Sequence, residues 1–207
     1  MALSGFISRQ FAHPSGVGGR LVTLVGSRQN RGLYEAALHL LAATDADRVL
    51  DIGCGNGTVL GLLAARCRAA LAGGDPSPAM VSAATARNAA HIRAGRMTIT
   101  PGDAAHLGFP DHTFSKALSV NTVYFWADVD QAMAEIRRVL APGGVFVNAL
   151  YTNKTLGGLS HTGSGYRFHD PDDLVSGAER AGFSARVAPV LDGAAYCLVC
   201  RVIPPGK

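Results

Sequence analysis

Charge is scarce in this chain. Asp, Glu, Lys and Arg together make up 16% of its 207 residues and hydrophobic residues 48%, a balance that excludes a disordered polymer and leaves ample apolar material for a large buried sheet. The length suits one α/β domain, since domains typically run to about 100–200 residues. No apolar run approaches the roughly 18 residues that a membrane-spanning helix needs. The start, Met1-Ala2-Leu3-Ser4-Gly5-Phe6-Ile7-Ser8-Arg9, has neither the basic region nor the long apolar core of a secretory signal. A cytoplasmic protein with no membrane partner is expected.

Clustered cations are lacking too. The net charge is only +4, and Lys and Arg are scattered where a nucleic-acid binder would show a basic stripe interleaved with aromatic residues. No nucleic-acid partner is expected. Arg137 and Arg138 sit late in a helical pattern, where the helix dipole accounts for them. Cysteine is sparse: Cys54, Cys67, Cys197 and Cys200 are the whole set. The last two form a C-x-x-C, but no second pair or paired histidine motif completes a four-ligand zinc site. In a strand, an offset of three places these two thiols on opposite faces. The expectation is buried small hydrophobes and no metal.

What the chain does have is a concentrated signal at Arg48-Val49-Leu50-Asp51-Ile52-Gly53-Cys54-Gly55-Asn56-Gly57-Thr58-Val59-Leu60. A short apolar run closed by an acid, then alternate glycines, then a helical pattern predict strand, tight turn and helix. Without Cβ atoms the turn can adopt positive φ and let a ligand approach the main chain. Unpaired N–H groups at the start of the next helix favour negative charge or lone pairs. Alone, the pattern fits equally a flexible turn in any α/β protein. A dinucleotide fingerprint wants glycine where Thr58 stands, and Asp51 would repel a pyrophosphate but attract an ammonium group. On these residues the sequence resembles the class I S-adenosylmethionine-dependent methyltransferases, whose first motif is an acid followed by x-Gly-x-Gly-x-Gly after the first strand.

The resemblance runs from residue 45 to residue 203, with its motifs in the family's order. Asp75 lies 18 positions after Gly57, room for one helix and one strand of a βαβ unit, which brings its carboxylate beside the glycine turn. There it can accept both hydroxyls of a ribose, or it can simply form a turn or helix cap before Pro76. The resemblance implies that Asp51, Gly53, Cys54 and Gly55 border the cofactor. It implies the same for Pro76 and for Met80, which would pack on the adenine; a core methionine is the alternative. After a third strand at Met97-Thr98-Ile99-Thr100-Pro101 comes Gly102-Asp103-Ala104. By resemblance, Asp103 accepts the adenine amino group and the Ala104 N–H meets a ring nitrogen.

Upstream, residues 1–26 read as two short helices with a mobile link, and Leu33, Ala36, Ala37, Leu40 and Leu41 repeat at helical spacing. In the family such an N-terminal helical cap, here residues 1–44, lies over the cofactor. Asn30 and Tyr34, one turn apart, face that site or water. Downstream, Pro78 opens a helix running to about Ala94. Phe109-Pro110-Asp111-His112-Thr113-Phe114 turns into a strand over residues 115–120, with Ser115 where the family usually has a second Asp. That strand delivers Asn121, Tyr124, Phe125 and Trp126 to the carboxyl edge of the sheet, where open α/β sheets bind ligands. Asn121 is assigned to the cofactor, and Tyr124 and Trp126 to the wall of a substrate pocket. Asn121-Thr122-Val123-Tyr124 keeps only the outer letters of the Asn-Pro-Pro-Tyr motif of base-modifying enzymes, so that activity is not assigned.

A helix over residues 128–140 is expected to break at Ala141-Pro142-Gly143-Gly144 before a strand over 145–150. Residues 151–169, rich in Gly, Ser, Thr and His, read as a lid loop with His161 toward the substrate. A helix opens at Asp170-Pro171, and strands over 184–191 and 195–203 form a hairpin turning at Asp192-Gly193. Residues 204–207 are a tail. The whole predicts a Rossmann-like three-layer α/β/α sandwich, with a mainly parallel seven-stranded sheet and an antiparallel terminal hairpin. The implied reaction is methyl transfer from S-adenosyl-L-methionine to an O, N, C or S atom of a small molecule, driven by alignment. His13, His161, His169 and Tyr166 are candidate bases, and none is singled out. Two alternatives stay open: a protein that holds the cofactor without methyl transfer, as a binding module or rearrangement catalyst, and an NAD(P)-dependent oxidoreductase. A homodimer is a further expectation.

Overall fold

The computed structural model describes residues 30–157 and 166–204. The helices expected over residues 1–26, His161 and the centre of the lid lie outside these residues. In chain order the described elements are α1 (Arg31–Leu41), β1 (Arg48–Ile52), α2 (Thr58–Arg66), β2 (Ala70–Asp75), α3 (Pro78–Arg87), α4 (Ala89–Arg93), β3 (Met97–Pro101) and β4 (Phe114–Val120). A short 3-10 turn, Val123–Phe125, then leads to α5 (Val129–Val139), β5 (Leu140–Tyr151), α6 (Asn153–Gly157), α7 (Pro171–Arg180), β6 (Phe183–Val190) and β7 (Ala195–Val202).

The strands form one sheet in the order β3-β2-β1-β4-β5-β7-β6. All neighbours are parallel except at β7, which pairs antiparallel with β5 and β6. Helices cover both faces, which is why the inner strands read as apolar runs without alternation. On one face Leu33, Leu60 and Leu63 pack on Val49, Leu118 and Val147. On the other, Met133, Ile136 and Leu174 pack on Leu50 and Phe146. This is the sandwich that the alternating strand and helix patterns predict. Cys197 belongs to the first core and Cys200 to the second, and burial pushes their thiols up to about 11 and about 12.

Helix α1 is a layer of the sandwich: Leu33, Leu38 and Leu41 are buried against the sheet face, each contributing about 1.5–3 kcal/mol. Three local expectations need correction. The helix expected from Pro78 to Ala94 is two helices, broken at Asn88. That side chain is 2% exposed, and its Nδ2 donates to Gly57 O at 3.1 Å and to Ala84 O at 3.0 Å, so a tertiary contact overrides helical continuity. Strand β5 already begins at Leu140, with Ala141-Pro142-Gly143-Gly144 accommodated as an irregularity opposite Phe114 and Lys116. The hairpin turn begins one residue early, at Leu191, because Leu191 and Asp192 both adopt φ of 52°.

Candidate active site

The connections β1–α2 and β4–α5 leave the sheet on opposite faces, so β1 and β4 part at their carboxyl ends and open a crevice there. The glycine turn forms one wall. Gly53 N and Cys54 N donate to Gly74 O at 2.8 and 3.0 Å, and Gly55 N donates to Asp75 Oδ2 at 2.9 Å. The other oxygen of Asp75 accepts Ser77 N at 2.9 Å. Gly57 and Gly55 are glycines for different reasons. A Cβ at Gly57 (φ +72°) would lie 2.4 Å from Asn88 Nδ2 and 3.0 Å from Ala84 Cα, whereas one at Gly55 (φ +53°) would meet nothing within 4 Å. The first is excluded by packing. The second would project into the crevice, where a ligand's backbone contact belongs.

The crevice has a volume of about 430 Å³, and its described lining includes four aspartates, Asp51, Asp75, Asp103 and Asp128, and no Lys or Arg. Asp51 is the extreme case. It is 2% exposed, and its Oδ2 has no hydrogen-bond partner. Burial, and secondarily the neighbouring Asp75, push its carboxyl up to about 8. The same burial and the two carboxylates keep the Cys54 thiol protonated, its pKa pushed far up. An orphaned, buried carboxylate facing a cavity is costly unless a cation or donor meets it. An ammonium group is such a partner, and a ribose fits Asp75.

All the residues assigned from sequence to a cofactor line this one crevice: Asn30 at the N-cap of α1 and Tyr34 within it, then Asp51, Gly53, Cys54 and Gly55, then Asp75, Pro76 and Met80, then Asp103, Ala104 and Asn121. Asn121 adopts φ of 59°, a conformation that Asn tolerates better than most residues. The 3-10 turn that follows decides the aromatic residues. Trp126 lines the crevice, but Tyr124 does not. Tyr124 is 1% exposed and its hydroxyl accepts Tyr151 N at 2.8 Å, so it ties β4 to β5 inside the core. Phe125 takes the lining place expected of it, edge-on to Tyr166 with centroids 4.8 Å apart. Thr122, His106, Asp128 and Gln131 also line the crevice and were not foreseen. Asp128 caps α5 by accepting Gln131 N at 3.0 Å, worth about 1 kcal/mol; a cap signal directly after an aromatic cluster at the sheet edge was the available clue.

A family model described as a methyltransferase domain matches residues 50–148, the span from β1 to β5 that builds this crevice. Residues 50–148 match the methyltransferase domain family. Among curated relatives of this methyltransferase domain, the malonyl-acyl-carrier-protein O-methyltransferase of Halorhodospira halophila is 34% identical over 160 residues, covering 73% of this chain and 52% of that protein. The chain spans about half the length of the first curated relatives it matches, between 41% and 61%. Two solved structures share the fold. A chain of the complex between the Haloferax volcanii Trm112 methyltransferase activator and its methyltransferase superposes with a TM-score of 0.74 at 20% identity, covering 86% of this chain and 92% of that one. The cyclase SpnF superposes at 0.73 with 18% identity, covering 84% and 80%. At such identities the likeness concerns the methyltransferase fold alone.

Proposed function

We propose that the chain binds S-adenosyl-L-methionine in the 430 Å³ crevice and transfers its methyl group to a small-molecule nucleophile, working in the cytoplasm. The observation that carries this reading is the unpartnered Oδ2 of buried Asp51 beside a backbone-fixed Asp75. On this reading Asp51 meets the ammonium group, Asp75 the ribose hydroxyls, Met80 an adenine face, the Ala104 N–H a ring nitrogen of the adenine, and Gly55 the close main-chain approach. When bound, the cofactor supplies a methyl group on a positively charged sulfur. Four lining carboxylates with no described Lys or Arg favour such a cation and disfavour the pyrophosphate of a dinucleotide.

The protein's part is alignment. Positive charge is lost as the methyl moves, so no new anion needs stabilising, and well-oriented reactants gain on the order of 7–11 kcal/mol from positioning. Trp126 and Phe125 border the crevice and wall the acceptor side, and Asn121 borders the cofactor. Calorimetric titration with S-adenosylhomocysteine and with NAD tests the reading. Binding of the first in preference to the second is expected, and release of S-adenosylhomocysteine from S-adenosylmethionine in the presence of acceptor molecules then separates methyl transfer from mere cofactor holding. Tighter binding of NAD would reject the proposal.

A further inference from the structure

The loop over residues 102–113, which carries Asp103 and Ala104, is fastened to α5 along a single helix face. Gln131, Glu135 and Arg138 are spaced i, i+4, i+7 and so lie above one another. Arg138 Nη2 donates to Phe109 O at 2.8 Å and its Nη1 to Asp111 at 2.6 Å. One turn up, Glu135 Oε1 accepts Leu107 N at 2.9 Å. The topmost rung is Gln131 Nε2 on His106 Nε2, at 3.3 Å. Only this rung reaches the crevice, which both residues line.

Both nitrogens of the His106 imidazole are engaged. His106 Nδ1 lies 3.3 Å from Asp103 Oδ1, and an ionised carboxylate only accepts, so Nδ1 carries the proton. The side-chain amide of Gln131 meets Nε2 on the other side of the ring, so both ring nitrogens are held. Asp103 Oδ1 also accepts Ala105 N at 2.8 Å. Both of these bonds fall on the same oxygen and restrain the carboxylate through it. The side chains of His106 and Asp103 are 73% and 55% exposed, so packing does not hold them; the hydrogen-bond chain does.

We infer that His106, held by Gln131, is a positioning residue that aims Asp103 Oδ2 at the exocyclic amine of the ligand's base and so sets selectivity for adenine. This rests on the proposed adenosyl cofactor and adds to it the means of reading the base. The groups beside His106 are Asp103 on its own loop and, from α5, Gln131 and Glu135. None but His106 links the loop to the helix at the crevice.

The test compares S-adenosylhomocysteine with S-inosylhomocysteine, which presents a carbonyl in place of the amine, by calorimetric titration of the full chain. Wild type is expected to favour the adenosyl ligand by about tenfold or more. His106→Ala is expected to cut that ratio by about fivefold, mostly through weaker adenosyl binding. His106→Asn, whose amide nitrogen can still donate to Asp103, restores most of it, and Gln131→Ala falls between. Unchanged melting temperatures verify folding. An unchanged ratio in His106→Ala, or equal weakening of both ligands, overturns the inference while leaving the cofactor reading intact. Equal binding of both ligands by wild type overturns base reading by Asp103 and this inference with it, and no binding of either overturns the cofactor reading itself.

Discussion

The two ends of the crevice are built on different principles. At the β1–β2 end, Asp51 and Asp75 are 2% and 7% exposed, and the main chain of the glycine turn and of Ser77 fixes Asp75 directly. At the β3–α5 end, Asp103 and His106 stand largely in solvent and are aligned by a chain of side-chain bonds. Buried charge interacts strongly with a ligand because no water competes, whereas exposed charge is screened and contributes little to affinity. The buried end is thus suited to hold the ligand, and the exposed end to discriminate its base.

The sharpest way to break this contrast is Asp75→Ala. It removes the acceptor of Gly55 N and Ser77 N together with the ribose partner. Affinity for S-adenosylhomocysteine is expected to fall by about tenfold or more, with a lower melting temperature; unaltered titration would remove Asp75 from the site. A paired glycine experiment comes next. Gly57→Ala clashes with Asn88 and Ala84 and should destabilise the fold by about 2 kcal/mol. Gly55→Ala carries only the left-handed backbone cost of about 1 kcal/mol while weakening ligand binding more. Denaturant melts and titrations of both variants report the crossing of the two effects.

Acidity sharpens the comparison further. Because burial and Asp75 raise the Asp51 carboxyl to about 8, the folded chain holds a proton that the unfolded chain releases near about pH 4. Stability from this group is therefore highest below about pH 4 and declines as pH rises to about 8. Asp51→Asn should flatten that decline in thermal melts. In wild type an ammonium-bearing ligand favours the ionised form, so affinity should increase with pH until Asp51 is fully ionised; a pH-independent titration contradicts this. The smallest effect is expected at the exposed end, where Asp103→Asn should weaken S-adenosylhomocysteine binding by about fivefold, no less than His106→Ala does and within reach of calorimetry.

The legible parts of the site share a feature: they are strand ends. Asp51, Asp75 and Asp103 each follow an apolar run by zero to two residues, and in a parallel sheet all such ends meet at one edge. Tyr124 misled because only the backbone at Asn121, with its positive φ, decides which of three consecutive aromatic residues turns inward. Asn88 was read as helix interior, since its partner Gly57 O is 31 positions away. His106 and Gln131 were missed for the same reason: each is an ordinary polar residue until the loop and α5 are brought together.

The order of apolar runs, the alternating glycines and the acids closing the strands were enough on their own to settle the sheet and the edge at which its crevice opens, because hydrophobic periodicity and backbone freedom act locally. Folding alone decided which carboxylate lies orphaned in the dry interior, which aromatic ring meets the crevice, and which imidazole bridges loop to helix. Those properties depend on contacts between residues far apart in the chain, and burial, unlike periodicity, belongs to the assembled structure.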